Sequence, residues 1–536
     1  MSSIDDAGGL RKPRIRRGPV NLARQALLRL TNVGLTTAYA AYRVHPALWR
    51  LTARNYRPGL ERFAKLNAWM ICQQASLDVP AYQDHLVAHD YEFRWWDLDS
   101  YPQTSKAGYV SAYSEEDRCW NGRIDMVGTV VDESSGSSGT PFNWMRSKRE
   151  LATVHKNVAG YVTFLFGAEN LFCINAFSMG AWATGTNTGL AMAKVAMVKN
   201  TGPDLEKILD TLRHFGPNHT YLISAYPPFL KHLVDRMDAE DPEYWDQFEL
   251  NGFVGGEAMT EALRDYVQKR FGRVYSGYGA SDLTIGMAGE TDVSVEIRRE
   301  LTRNDDFRAA LLGSAEDRTP MIFQYNPLET FLETTADGEL VVTINSAAVM
   351  SPRLRYNIGD EARLLDFREM VAITRQFPQL SARLSRAFRR QGMRLPFVLL
   401  FGRADSTISY MGANIYPLDV ENGLYRDERF AGLIESFRIE LRDHGELEVR
   451  PALHVQLRDT AEAQALTADE RTEMTQALTQ GVLAHLAEVS RDFRQSLEED
   501  ASAAEIQLEL HDHGTGPFAG GPQKIKNVYL MRTEEA

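Results

Sequence analysis

Apolar positions recur at helical spacing across residues 20–95, where Trp49, Leu51, Leu60, Phe63, Leu66, Trp69 and Met70 mark buried faces. Past residue 125 the texture changes. Short β-rich runs at Met126–Val131, Leu171–Asn175, Val195–Val198 and Tyr221–Ser224 alternate with helical stretches at Asp204–Phe215 and Pro228–Met237. Strands alternating with helices predict a mainly parallel sheet covered on both faces. Another strand is predicted at Glu339–Asn345, just after the turn Ala336-Asp337-Gly338. Beyond Gly402, apolar and polar residues alternate at Phe437–Leu441, Leu453–Leu457 and Ile506–Leu510, with a long helical stretch at Thr467–Leu497. The expected fold class is α/β. A large N-terminal body with mainly parallel sheets covered by helices spans residues 1–402, its helical lead-in at 1–95. A small α+β C-terminal unit follows at 403–536.

At 536 residues the chain exceeds what one core supports. Its 44% hydrophobic and 24% charged residues exclude a disordered or fibrous protein. The net charge of −13 argues against a generic nucleic-acid binder, although Arg11, Lys12, Arg14, Arg16 and Arg17 crowd the N-terminus. The least polar early stretch, Ala26–Leu51, is broken by Arg29, Arg43, His45 and Arg50. It falls short of the ~20 apolar residues of a membrane span, leaving an amphipathic surface helix or one packed on the body. The three cysteines, Cys72, Cys119 and Cys173, are widely spaced, without redox or zinc-ligand spacing. A cytoplasmic location is expected, with no nucleic-acid partner, no transmembrane segment and a homodimer left open.

The strongest local signal is the run Asp132-Glu133-Ser134-Ser135-Gly136-Ser137-Ser138-Gly139-Thr140-Pro141, placed between a β-run and a helix-like segment. Glycines let a backbone fold closely round an anion, and hydroxyls and N–H groups donate to phosphate oxygens. The Gly-Lys-Ser/Thr ending of a P-loop is missing. Taken alone, the run reads equally well as a flexible linker. Four segments follow in order: Gly255-Gly256-Glu257, Tyr278-Gly279-Ala280-Ser281-Asp282, Arg355-Tyr356-Asn357-Ile358-Gly359-Asp360 and Gly402-Arg403-Ala404-Asp405. Gln523-Lys524-Ile525-Lys526 closes the chain.

In that order these motifs resemble the adenylate-forming superfamily of acyl-CoA synthetases, peptide-synthetase adenylation domains and luciferases, from about residue 100 to the end. The phenylacetate-CoA ligase branch is the most similar. It is marked by Ala75–Tyr82, by Pro102-Gln103-Thr104-Ser105-Lys106, and by Gly402–Asp405 running on to Gly412–Pro417. The resemblance implies ATP, Mg²⁺ and coenzyme A as cofactor and substrates, and a mobile lid. Ser134, Ser135, Gly136, Ser137, Ser138, Gly139 and Thr140 would hold the triphosphate. Gly256 and Glu257 would pass along the adenine, with Tyr278 stacking on the purine and Gly279, Ala280 and Ser281 beside it. Asp282 would bind magnesium, standing where the family usually has glutamate. Asp360 would accept from the ribose hydroxyls near Arg403, Asp405 would be the hinge, and Lys524 would stabilise the charge of adenylation. Phe177, Met179 and Trp182, joined by Tyr226, lie where the family builds its acyl pocket.

Departures from the pattern bear on the acceptor. Asn357 and Ile358 replace Arg-Thr, Met411 replaces a basic residue, and Gln523 replaces a glycine. An insert before Gly402 carries Arg368, Arg375, Arg383, Arg386, Arg389, Arg390 and Arg394 against the single acid Glu369. It reads as a basic solvated helix or as a surface for an acidic carrier protein. The expected activity is AMP-forming ligation of a carboxylic acid to coenzyme A. The alternatives are transfer to an amine or carrier-protein thiol, and a non-catalytic nucleotide- or acyl-binding homologue.

Overall fold

The computed structural model describes residues 19–43, 46–134, 142–167, 169–180, 183–314, 316, 319–403, 408–411, 413–415, 417–444 and 448–519. A twelve-stranded mixed sheet organises the body. Its parallel half runs Met197–Asn200, Leu171–Asn175, Thr220–Ala225, Glu249–Gly255 and Phe271–Tyr278, each paired with the next in that order. Helices Leu205–Phe215 and Pro227–Glu240 pack on one face, burying Ile208, Leu212, Leu230 and Val234 against Phe172, Ile174 and Ile223. Lys148–Phe166 covers the other face, where Val158 and Val162 meet Cys173 and Leu222. Strand–helix alternation thus yields the expected parallel, doubly covered sheet in this half. The remaining long strands, Met321–Tyr325, Thr330–Thr334, Glu339–Ile344, Tyr356–Leu365 and Phe397–Arg403, pair antiparallel, because short turns rather than crossover helices join several of them.

Among the described residues, four helices precede the sheet: Pro19–Arg43, Pro46–Arg54, Pro58–Asp78 and Pro80–Ala88. Leu28, Leu35, Tyr39, Trp69 and Tyr82 are buried against the antiparallel half. No helix among the described residues is long and apolar enough to cross a membrane. The three cysteines are buried and unpaired.

Some local expectations shift. Met126 and Val127 are almost fully exposed, and the strand there is Val130–Ser134. The segment after the Ser/Gly run is no helix but the strand Phe142–Arg146, antiparallel to Val130–Ser134, so the run joins the arms of a hairpin. The long C-terminal helix is two, Ala468–Val489 and Arg491–Glu499, divided at Ser490, whose side chain caps the second.

The smaller C-terminal unit has its own core. Ile434–His444, Glu448–Leu457 and Gln507–His511 form a three-stranded sheet against which Met474, Leu478, Val482 and Leu486 pack.

Candidate active site

The sequence-predicted residues that the structure describes gather outside the carboxyl ends of the parallel strands. Ser178 and Phe177 follow Leu171–Asn175, Tyr226 follows Thr220–Ala225, Gly256 and Glu257 follow Glu249–Gly255, and Tyr278 ends Phe271–Tyr278. Ligands bind at this edge of open α/β sheets, where the chain turns away to its helices. Two glycines are required by the packing. Gly256 has φ 87°, and a Cβ there would stand 2.7 Å from the Tyr226 ring; one on Gly279 would stand 2.6 Å from the Thr284 carbonyl.

Asp360 arrives from the antiparallel half, paired across the strands with Arg403. Tyr278 Oη donates to Asp360 Oδ2 at 2.5 Å, and Arg403 Nη1 stands 3.5 Å from Oδ1 while donating to the Ile358 carbonyl at 2.9 Å. Burial, then the Asp360 charge, holds the Tyr278 hydroxyl well above its ordinary pKa, so it remains a donor. One side of its ring lies against Phe323, at 5.9 Å and 22°.

Tyr356 Oη donates to Asp282 Oδ2 at 2.7 Å, and Arg353 Nε donates to the Asp282 carbonyl at 2.5 Å. Oδ1 of Asp282 keeps no partner among the described residues. One free carboxylate oxygen suits Mg²⁺, which retains water and takes phosphate oxygens for its other positions.

Ser134 ends the first hairpin strand opposite Phe142. Ser135, Gly136, Ser137, Ser138, Gly139 and Thr140 lie outside the described residues, as do Trp182, Asp405 and Lys524. Of the aromatic acyl-pocket candidates, Phe177 and Tyr226 meet edge-on at 5.3 Å. Met179 is turned to Asn175, 3.8 Å from its amide nitrogen. A small cleft of about 100 Å³, which sequence reading did not single out, opens between helix Lys148–Phe166 and the segment continuing from Asp282. Trp49, Val158, Tyr161, Ile285, Met287 and Tyr325 line it.

Sequence reading also missed Arg146. Buried at the hairpin base, it donates to Glu150 at 3.0 Å, to the Leu283 carbonyl at 2.5 Å and to the Ser281 carbonyl, and its Nε stands 3.4 Å from Asp132 Oδ2. The base of the Ser/Gly hairpin is thereby tied to the turn carrying Asp282. No spacing signals this, since the partners are distant in sequence. Tyr356, by contrast, stood inside a quoted motif. Its neighbour Arg355 faces away, holding Glu333 and the carbonyls of Asp99 and Tyr101. Lys106 lies over the Phe142 ring at 4.4 Å, and Thr104 pairs with Tyr356.

Two of the departures have structural explanations. Asn357 donates to Glu339 at 2.6 Å and accepts from the Gly359 N–H at 2.9 Å. The arginine-rich insert folds as helices Phe367–Thr374 and Pro378–Gln391, with Leu380 and Ala387 buried. Arg383 pairs with Glu296 and Glu300, and Arg390 with Asp292, all on the body helix Asp292–Leu301. Burial pushes the thiol of Cys119 up to about 11 and those of Cys72 and Cys173 to about 12, which disfavours them as nucleophiles.

No family model matches the sequence. Phenylacetate-coenzyme A ligase of Pseudomonas putida is 23% identical over 343 residues, 63% of this chain and 67% of that one. Over that stretch the chain is similar to a phenylacetate-CoA ligase. Among solved structures, 2-hydroxyisobutyryl-CoA ligase, in complex with 2-HIB-AMP and CoA in the thioesterification state, is similar with a TM-score of 0.56. The match has 13% identity and covers 88% of this chain and 90% of that one. At that identity the likeness speaks for the fold alone.

Proposed function

We propose that the chain is an AMP-forming acid–thiol ligase. A carboxylate attacks the α-phosphate of ATP to give an acyl-adenylate and pyrophosphate, and the thiol of coenzyme A then displaces AMP to give a thioester. The observation that carries this reading is the meeting of Tyr278, Asp360 and Arg403 from two halves of the sheet at the edge where Gly256 and Asp282 also emerge. Asp360 would accept from the ribose hydroxyls, Tyr278 would border the purine, and Gly256 with Glu257 would run along it. Asp282 would hold Mg²⁺, which supplies positive charge to the triphosphate. The hairpin residues Ser134–Thr140 would hold the phosphates, braced by Arg146, and Lys524 would stabilise the charge gathering at the α-phosphate.

We take residues 1–402 as the body and 403–536 as a lid hinged at Asp405, placing the protein in the cytoplasm. An aromatic or other small organic acid suits either the Phe177–Tyr226 surface or the cleft beside Ile285. Pyrophosphate release measured over a panel of aryl and alkyl acids tests the first half-reaction. A complete lack of release would leave the non-catalytic homologue standing. Adding coenzyme A, hydroxylamine or a carrier protein identifies the acceptor, and turnover confined to an amine or carrier thiol would overturn the second half of the proposal.

A further inference from the structure

On one face of the small C-terminal sheet, three strands bring together side chains that the reaction above does not use. Glu440 and Arg442 lie on Ile434–His444, His454 on Glu448–Leu457, and Glu509 and His511 on Gln507–His511. His454 pairs with Glu509 across the parallel strands, and His511, two residues on, shares the Glu509 face. His454 is 1% exposed, an unusual depth for a surface-sheet histidine.

The potential ligand atoms face one another. His454 Nδ1 is 2.9 Å from His511 Nε2 and 3.4 Å from Glu509 Oε2, and His511 Nε2 is 3.7 Å from the same oxygen. Donors 2.0–2.2 Å from a tetrahedral zinc ion stand about 3.3–3.6 Å apart. The observed triangle brackets that spacing. Its surroundings also resemble those of zinc-binding histidines. His454 Nε2 is 3.1 Å from Glu440 Oε1, the carboxylate contact that fixes a metal-binding imidazole's tautomer and leaves Nδ1 unprotonated. Arg442 Nη1 takes the other Glu509 oxygen, Oε1, at 2.5 Å, orienting Oε2 inward, and Arg442 Nε donates to Glu440 at 2.7 Å.

We propose that His454, His511 and Glu509 form a binding site for a divalent first-row metal ion, with zinc as the best match, its fourth position left to water. The site is independent of the nucleotide edge and stands on different residues from the proposed ligase activity. A metal here would clamp the last strand of the sheet to its neighbour, immediately ahead of the chain segment leading to Lys524. One contact competes. Arg442 Nη2 also stands 3.0 Å from His454 Nε2, so the same atoms can form a metal-free chain in which Arg442 donates to His454 and His454 to His511.

The test uses full-length chain without a polyhistidine tag, stripped with a chelator and titrated with Zn²⁺ against a chromogenic competitor. Co²⁺ serves as the spectroscopic probe. The expected result is one tight site per chain, with visible d–d bands of a tetrahedral nitrogen/oxygen set on Co²⁺ loading. His511→Ala and Glu509→Gln should each weaken Zn²⁺ binding at least tenfold and abolish those bands. Glu440→Gln, which leaves all three ligands in place, should weaken it about 10–100-fold. Circular dichroism of each variant confirms that the fold is kept. Absence of stoichiometric Zn²⁺ binding by the unaltered chain would overturn the proposal in favour of the metal-free chain. So would equal affinity in a folded His511→Ala variant.

Discussion

Ser178 Oγ donates a 2.8 Å hydrogen bond to Glu499 Oε2, joining the end of a body strand to the last turn of helix Arg491–Glu499 in the small unit. Next to it, Asp500 Oδ2 lies 2.6 Å from His232 Nδ1 on the body helix Pro227–Glu240. These two contacts hold the C-terminal unit against the edge where the nucleotide is proposed to bind. Burial raises the Glu499 carboxyl, while hydrogen bonds from Gln495 and Ser178 lower it less. A raised docked-state pKa means that docking is favoured below the ordinary carboxylate pKa and weakens as pH rises through the raised value.

Glu499→Gln keeps a polar partner for Ser178 without a charge to bury. The docked pose should therefore persist at higher pH. Fluorescence transfer between labels on the body and the C-terminal unit, followed from pH 5 to pH 8, checks this. An unchanged pH profile would show that Glu499 does not govern docking.

Removing the nucleotide contacts should act in a graded way. Tyr278→Phe deletes the donor to Asp360, and a hydrogen bond to a charged group contributes about 1.5–3 kcal/mol. ATP affinity is expected to fall about tenfold or more, and further in Asp360→Ala. Calorimetric titration of folded variants with ATP measures both. Unchanged affinity in Asp360→Ala would remove that residue from the site.

Arg146→Met tests the brace under the hairpin. It leaves the carboxylates of Asp132 and Glu150, each 3% exposed, without their cation. Breaking a buried pair from one side costs about 3–5 kcal/mol. Urea denaturation should show a loss of that order, and pyrophosphate release should fall with it, since the same guanidinium holds the Ser281 and Leu283 carbonyls.

Lys524→Ala separates the half-reactions. Removal of one transition-state charge donor lowers a rate by ~10²–10³. Adenylation should drop by that factor, while thioester formation from supplied acyl-adenylate should change little. Equal losses in both would remove Lys524 from the first step.

Asp419 provides a pH test of stability. It is 5% exposed in the first turn of helix Pro417–Leu424, and burial raises its pKa from 3.8 to about 6. The raised value means the folded state holds its proton more tightly. Its stability is greatest below the unfolded pKa and declines as pH climbs to the folded one. The rise from 3.8 to about 6 corresponds to a cost on the order of 3 kcal/mol at neutral pH. Asp419→Asn should stabilise the chain by that amount at pH 7 and by little at pH 4 in thermal melts. Equal gains at both pH values would exclude the ionisation as the cause.

The sequence by itself determined the parts whose signals are local. Short β-rich runs located three of the five parallel strands, at Leu171–Asn175, Met197–Asn200 and Thr220–Ala225, and period-2 alternation located the strands of the small C-terminal sheet, because both signals lie within a single element. The ordered motifs placed Gly256, Tyr278, Asp282, Asp360 and Arg403 in one expected group through their resemblance to the adenylate-forming pattern, since each motif is a short local run. Only the tertiary structure decided what depends on pairings between distant segments. The strands on either side of the Ser/Gly run pair with each other because Phe142–Arg146 returns along Val130–Ser134. Tyr278 meets Asp360 because the parallel and antiparallel halves are fused in one sheet. The arginine-rich insert is a packed helical layer because Asp292, Glu296 and Glu300 face it from another helix. Arg146, and the His454–Glu509–His511 face, left no trace in spacing. Their partners lie on separate strands and helices, and cross-element contacts are fixed by register and packing rather than by the pattern within any one element.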